Sequence, residues 1–215
     1  MINKIYKRIH NKYLNIFKFF FFLRHVFVMF IIATSIFLSV PKFFNYEEKK
    51  EIIKKYLINY YDLELKNYSS LKYNIFPLPN LLLTNVDFKI RNKTINIKSN
   101  DVKIFLNLKN IYNYENLKIK KVLLNESNIL LETDRTKDLL EYFKKLKNQL
   151  IVKNLNLKLI NNNNSLLSIK NVTFSNYGRN RYKINGQLFG KKFQSSLTNN
   201  DQRLNFKLLK TGIKA

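Results

Sequence analysis

From about residue 62 onward, apolar side chains recur at every second position, in short segments separated by polar turns. Strict period two puts the apolar set on one face of a strand and the polar set on the other. The predicted strands begin with 62–66, which presents Leu63 and Leu65, and 71–76, which presents Leu71, Tyr73 and Ile75. After 81–90 come 94–98, with Ile95 and Ile97, and 102–108, with Val102, Ile104, Leu106 and Leu108. Further strands are predicted over 117–122, 128–131, 150–160 (Leu155, Leu157 and Leu159 on one side), 166–174, 182–188, 193–197 and 204–208. Phe76-Pro77-Leu78-Pro79-Asn80 must interrupt the ladder, because proline lacks a donor and restricts the residue before it. Asn161 to Asn164 reads as a polar turn, and Gly178 and Gly190 as turn residues.

Three segments follow other patterns. Residues 19–40 are apolar apart from Arg24 and His25, and 26–40 carry no charge at all. Fifteen helical residues cover about 22 Å, short of the ~30 Å hydrocarbon core, and adding 19–23 brings the segment near full length. Arg24 then lies close enough to one end to reach the headgroups. A cleaved signal peptide is the rival reading, but the small-x-small cleavage pattern is missing where Leu38, Ser39, Val40 and Pro41 lead into Lys42. The segment is therefore expected to be a retained anchor. Residues 46–59 read as a short amphipathic helix with Ile52, Ile53, Tyr56 and Leu57 as its stripe, expected to cap the sheet in preference to lying on a bilayer. Residues 136–148 read as a second helix, carrying Leu139, Leu140, Tyr142, Phe143 and Leu146, with Asp134 or Thr136 as its cap.

The expected fold class is mainly β with an N-terminal transmembrane helix: an antiparallel curved sheet or a β-sandwich, plus two short helices. Short turns between alternating strands imply antiparallel pairing with one apolar face, and that face needs a cover. A second layer supplies the cover in a sandwich, which the alternation alone favours; in an open curved sheet, lipid could cover it. The domain plan is a basic tail over 1–18, the anchor over 19–40, a linker and amphipathic helix over 41–60, and a β-rich domain over 61–215.

Composition sharpens this picture. The chain has 215 residues and a formal charge of +25. Lys4, Lys7, Arg8, Lys12, Lys18 and Arg24 precede or enter the apolar segment with no acid among them, which favours a cytoplasmic N-terminus. Lys42, Lys49, Lys50, Lys54 and Lys55 beyond the segment weaken that bias. The other lysines are scattered through the strands and read mainly as a solvated face, with attraction to an anionic membrane surface as the functional alternative. Nucleic acid is disfavoured as a partner, because no aromatic-basic module or recognition helix stands out. With no cysteine there is no disulfide framework and no thiol nucleophile. Both histidines, His10 and His25, precede the β-rich region, which excludes a histidine-based triad there. Glu47, Glu48 and Glu51 read as surface ion-pair partners, and Gly178, Gly186, Gly190 and Gly212 form no phosphate loop. No catalytic residue, metal site or cofactor is expected.

The order of elements carries a resemblance. The stretch YDLELKNYSSLKYNIFPLPNLLLTNVDFKI, residues 61–90, is similar to the N-terminal region of the AsmA family of bacterial envelope proteins. Phe76 and Pro77 stand at the family's Phe-Pro place, and Asn85-Val86-Asp87 follow at the expected remove. Residues 102–131 and the strand LLSIKNVTF at 166–174 also resemble the family's pattern. The chain departs from it where Asn59, Tyr60 and Tyr61 replace a usual glycine, where Asn128 replaces a proline, at Asp134-Arg135, and in being much shorter than typical members. The resemblance implies inner-membrane anchoring, a periplasmic β-rich body and a role in outer-membrane biogenesis or phospholipid transport. It shifts the expected architecture toward a curved sheet with an apolar groove, and it offers no catalytic residues.

Two functions follow. In the first, acyl chains rest on the apolar strand face, lined by Leu63, Leu65, Leu71, Tyr73, Ile75, Ile95, Ile97, Val102, Ile104, Leu106, Leu155, Leu157 and Leu159. In the second, the same positions form the closed core of an anchored structural or interaction module. Its partner, such as a longer AsmA-like homologue or an envelope assembly protein, would pair with a strand edge or the basic surface.

Overall fold

The computed structural model describes residues 2–112, 118–162, 164–176, 181–198 and 203–209. The chain divides into two units, residues 1–44 and 45–215. The first is a continuous helix α1 (Ile2–Ser39) ending in a 3-10 turn (Val40–Phe43) that contains Pro41. Within it, Lys18–Phe43 is by length and composition long and apolar enough to cross a membrane, with a mean hydropathy of 2.1, which suits a membrane anchor or a signal sequence. Its large apolar side chains are exposed in the unit itself. Arg24 lays its guanidinium 4.5 Å from the Phe21 ring centroid. The side chains of Lys4, Lys7, Arg8 and Lys12 lie outside the described ones.

The second unit is one ten-stranded sheet with two helices. A 3-10 turn (Glu47–Lys49) leads into α2 (Lys50–Tyr61). Then follow β1 (Leu63–Asn67), β2 (Ser70–Asn74), β3 (Asn80–Ile90), β4 (Asn96–Leu106) and β5 (Ile119–Glu132). Helix α3 (Thr136–Lys145) precedes β6 (Leu150–Asn161), β7 (Asn164–Asn176), β8 (Arg181–Leu188), β9 (Lys191–Thr198) and β10 (Arg203–Leu208). The strand order is β1-β3-β4-β5-β6-β7-β8-β9-β10, with β2 also pairing β3. Strands β1 and β2 are two pieces of one broken edge: β2 pairs the first half of β3 (Tyr73 opposite Leu81), and β1 the second (Leu63 opposite Ile90).

The alternation therefore belongs to a single mixed sheet and not to the sandwich it favours when read alone. Pairing is antiparallel except between β5 and β6, which run parallel with Leu124 opposite Val152. The entirely antiparallel expectation fails there because α3 carries the chain back along the sheet, and such a crossover makes the next strand parallel. Two predicted boundaries also dissolve. The one strand β4 takes in residues from both 94–98 and 102–108, and the one strand β5 takes in residues from both 117–122 and 128–131.

The cause is a row of bulges. In β3 the buried positions run Leu81, Leu83, then Val86, Phe88, Ile90, and in β5 Val122, Leu124, then Ser127, Ile129, Leu131. The parity changes because two consecutive residues turn away from the apolar face, the second with positive φ: Asn85 (48°) in β3 and Glu126 (51°) in β5. Asn154 (53°) and Asn171 (51°) do the same in β6 and β7. Pairing skips or shifts at the same level in β4, where Ser99 and Asp101 face Ser127 and Asn125. An extra residue in a strand bends it and increases its twist. Aligned across β3 to β6, and one residue pair further along in β7, these residues keep one continuous apolar face through the bend. Polar side chains link the row: Asn100 Nδ2 donates to Glu126 Oε2 (2.9 Å), and Asn154 Nδ2 to Asn125 Oδ1 (3.4 Å). On the apolar side the row is marked by buried Ser99 and Ser127, whose hydroxyls lie 2.9 Å apart.

Both body helices cover the apolar face. The stripe of α2 is Ile53, Leu57 and Tyr61, all buried, so this helix caps the sheet. The stripe of α3 is Leu139 and Tyr142, followed by buried Leu146. Tyr142 donates its hydroxyl to the Tyr61 carbonyl (3.0 Å), joining the two helices, and burial holds its ionisation far above the ordinary phenol range. Neither Asp134 nor Thr136 caps α3 through its side chain; a 3-10 turn (Thr133–Arg135) leads into it, and Thr136 donates its hydroxyl back to the Thr133 carbonyl.

Candidate functional site: an apolar cavity under helix α3

Helix α3 is fixed at both ends. Near its start, Lys93 from the β3–β4 turn reaches Asp138 (2.6 Å) and Glu141 (3.5 Å). The Asp138 hydrogen bond holds the Lys93 ammonium above its ordinary range, and the Lys93 bond holds the Asp138 carboxyl below its own. At its far end, Tyr182 donates to the Lys144 carbonyl (2.7 Å). Buried Asn176 closes the exit: its Nδ2 donates to the carbonyls of Leu146 (3.2 Å) and Asn148 (2.8 Å), while its Oδ1 accepts from the Leu150 N–H (2.6 Å). The Phe143 ring packs on Phe174 of β7, with centroids 4.1 Å apart.

Between these ties α3 does not close completely on the sheet. A cavity of about 280 Å³ remains between Leu139, Leu140 and Phe143 of the helix and the apolar faces of β5 to β10. Strand β6 contributes Leu155, Leu157 and Leu159; β7, β8 and β9 contribute Ile169, Ile184 and Phe193. Among the described residues of its lining, Thr136 and Ser195 are the only polar ones, and none is charged. The volume lies at the lower end of small-ligand sites. Leu157, Leu159, Ile169 and Ile184 are half-buried and Leu140 is 56% exposed, so the cavity opens to its surroundings. Gly186 sits beside it in β8: a Cβ there would come 2.8 Å from the Phe193 ring, so the glycine lets that ring lie flat against the strand.

The thirteen apolar positions read from the alternation divide sharply. Leu155, Leu157 and Leu159 line the cavity. Leu63, Leu65, Tyr73, Ile95, Ile97, Val102, Ile104 and Leu106 are buried in the core of the β1–β4 half, and Leu71 and Ile75 are half-buried on the broken edge. Burial pushes the Tyr73 phenol up to about 12. The alternation did not single out the α3 residues or the β7–β9 residues of the lining as a site. Their signal was present, because Leu139, Leu140 and Phe143 make the stripe of α3 wider than a helix needs to seat on one sheet. No protein-family model, curated protein or solved structure matches this chain. Among the described residues no group of three or more His, Cys, Asp or Glu side chains converges to hold a metal ion.

Proposed function

We propose that this chain is a single-pass, membrane-anchored AsmA-like envelope protein that shelters an acyl chain of a phospholipid on its apolar sheet face. In this reading Lys18–Phe43 is retained in a bacterial inner membrane, the basic tail is cytoplasmic and the body is periplasmic. The protein supports outer-membrane biogenesis or phospholipid transport. The observation that carries the reading is the open cavity under α3, lined by apolar side chains and two hydroxyls. The lining side chains project from helix α3 and from strands of the sheet, so an acyl chain entering the cavity displaces water from apolar side-chain surface. The described residues of the lining include no titratable side chain, and in this reading the action is passive binding, with no bond made or broken.

The test is native mass spectrometry of the detergent-extracted full chain, comparing wild type with Leu157→Glu. Leu157 is half-buried at the cavity, so the substitution puts a charge where the acyl chain would lie. The expected result is phospholipid retained by wild type and lost from the variant, with far-UV circular dichroism unchanged.

A second reading, an interaction module with a closed core, is favoured by the β1–β4 half, where Leu63, Leu81, Val102 and Ile104 are fully buried. In it a longer homologue or an envelope assembly protein pairs with the outer edge of β10. Folded wild-type protein that retains no lipid favours that reading.

A further inference from the structure

One end of the sheet carries an apolar surface that the cavity does not explain. At this end the β2–β3 loop projects Phe76 and Leu78, 86% and 42% exposed, and the β4–β5 connection projects Leu108 and Tyr112, 47% and 41% exposed. The two loops are neighbours: the Leu106 N–H donates to the Pro79 carbonyl (3.1 Å), and the Asn107 N–H to the Lys118 carbonyl (2.8 Å). Asn80 stiffens the first loop by donating to the Leu78 carbonyl (2.7 Å). Lys109, Lys118 and Lys120 are exposed around these tips, and Lys121 lies 4.5 Å from the Phe105 ring centroid. Across 75–79 and 107–121 the sequence carries four lysines and one acid, Glu115. Exposed aromatic and aliphatic tips ringed by lysines suit the boundary between headgroups and acyl chains.

Chain connectivity says which surface they meet. Tyr46, in the second residue of the body unit, stacks on Tyr73 at this same end, with ring centroids 5.8 Å apart and planes 8° from parallel. Only Phe44 and Asn45 separate it from the end of the apolar segment at Phe43. The three steps from Phe43 to Tyr46 span at most about 11 Å, so a retained anchor holds this end of the sheet close to the membrane surface. The acids that follow are engaged locally: Glu47 accepts from Tyr68, Glu48 from Asn45 and Glu51 from Lys54. We infer that the Phe76–Leu78 and Leu108–Tyr112 tips insert into the interface of an anionic bilayer, giving the body a second attachment besides its anchor. This inference rests on reading Lys18–Phe43 as a membrane span.

The chain contains no tryptophan, so single replacements report on depth. The full chain is reconstituted in nanodiscs of phosphatidylcholine and phosphatidylglycerol, with and without brominated phosphatidylcholine, as Phe76→Trp, Leu108→Trp, Phe30→Trp or Phe189→Trp. Phe30 lies within the apolar segment, and Phe189 is an 81% exposed aromatic at the β8–β9 turn, at the opposite end of the sheet. The expected result is blue-shifted emission quenched by bromolipid for Phe76→Trp and Leu108→Trp, as for Phe30→Trp, with Phe189→Trp unquenched. Quenching of Phe30→Trp alone overturns the inference and leaves the anchor standing. An unquenched Phe30→Trp overturns the anchor reading and the inference with it.

Discussion

Lys93 and Asp138 tie the β3–β4 turn to α3 across 45 positions of sequence, with side chains only 19% and 29% exposed. Both protonation equilibria are displaced by the contact, in opposite directions. The depressed Asp138 carboxyl contributes stability that is present above its unfolded value near 3.8 and lost as pH falls through the folded value. The raised Lys93 ammonium contributes stability that is present below about 10.5 and lost as pH rises through its folded value. Asp138→Asn is therefore expected to lower Tm near neutral pH and to flatten the fall in Tm on acidification, measured by thermal melts over a pH series. Glu141 remains near Lys93 in that variant and keeps part of the alkaline limb. Neither the pairing nor its partner was legible in the sequence, because a turn lysine among so many lysines carries no local sign of its acid. Asp134, one of the two residues expected to cap α3, instead lies 3.3 Å from the Arg135 guanidinium, while Asp138 is recruited by a lysine on another element.

The row of bulges is the element-scale feature that shapes the sheet. Asn tolerates the left-handed region because its short polar side chain bonds locally, whereas a β-branched residue there is strained. Asn154→Val is expected to destabilise the body by about 1–2 kcal/mol, and Asn154→Gly to be nearly neutral, as read from chemical denaturation midpoints. The strands themselves were legible because period-two alternation is a local signal. Their continuity was not, because alternation alone reads a change of parity as a turn. Residues 84–85, 100–101, 125–126, 153–154 and 170–171 are all polar pairs between inward-facing positions of opposite parity, apolar except for Ser99 and Ser127. Recurrence of that pair in five successive strands distinguishes an aligned bulge from five turns. The parallel β5–β6 pair was hidden for a different reason: only the packing of α3 on the apolar face decides which way the chain returns.

At the scale of the body unit, one apolar face does two things. Over β1 to β4 it is sealed, with Phe88, Ile90, Ile97 and Val102 buried in the core that α2 helps to cover. Over β6 to β10 a single ten-residue helix is too narrow to cover the face, and the cavity is what it leaves open. The sequence could place residues on the apolar face but could not say which of them a helix covers, because coverage depends on where α3 lands. Leu106 illustrates the difference: by alternation it is equivalent to Leu157, yet it is 4% exposed in the core, whereas Leu157 lies at the opening. A charge at Leu106 would test folding, and a charge at Leu157 tests binding. The most direct measurement places a photoactivatable benzophenone side chain at Leu140 or Leu159, on the cavity, and at Leu130 or Leu166, exposed leucines on the strand positions that alternate with the apolar face. Irradiation in native membranes followed by mass spectrometry of the full chain is expected to give phospholipid adducts at Leu140 and Leu159 and none at Leu130 and Leu166. Equal labelling at all four positions, or none at the cavity pair in folded protein, would contradict the account.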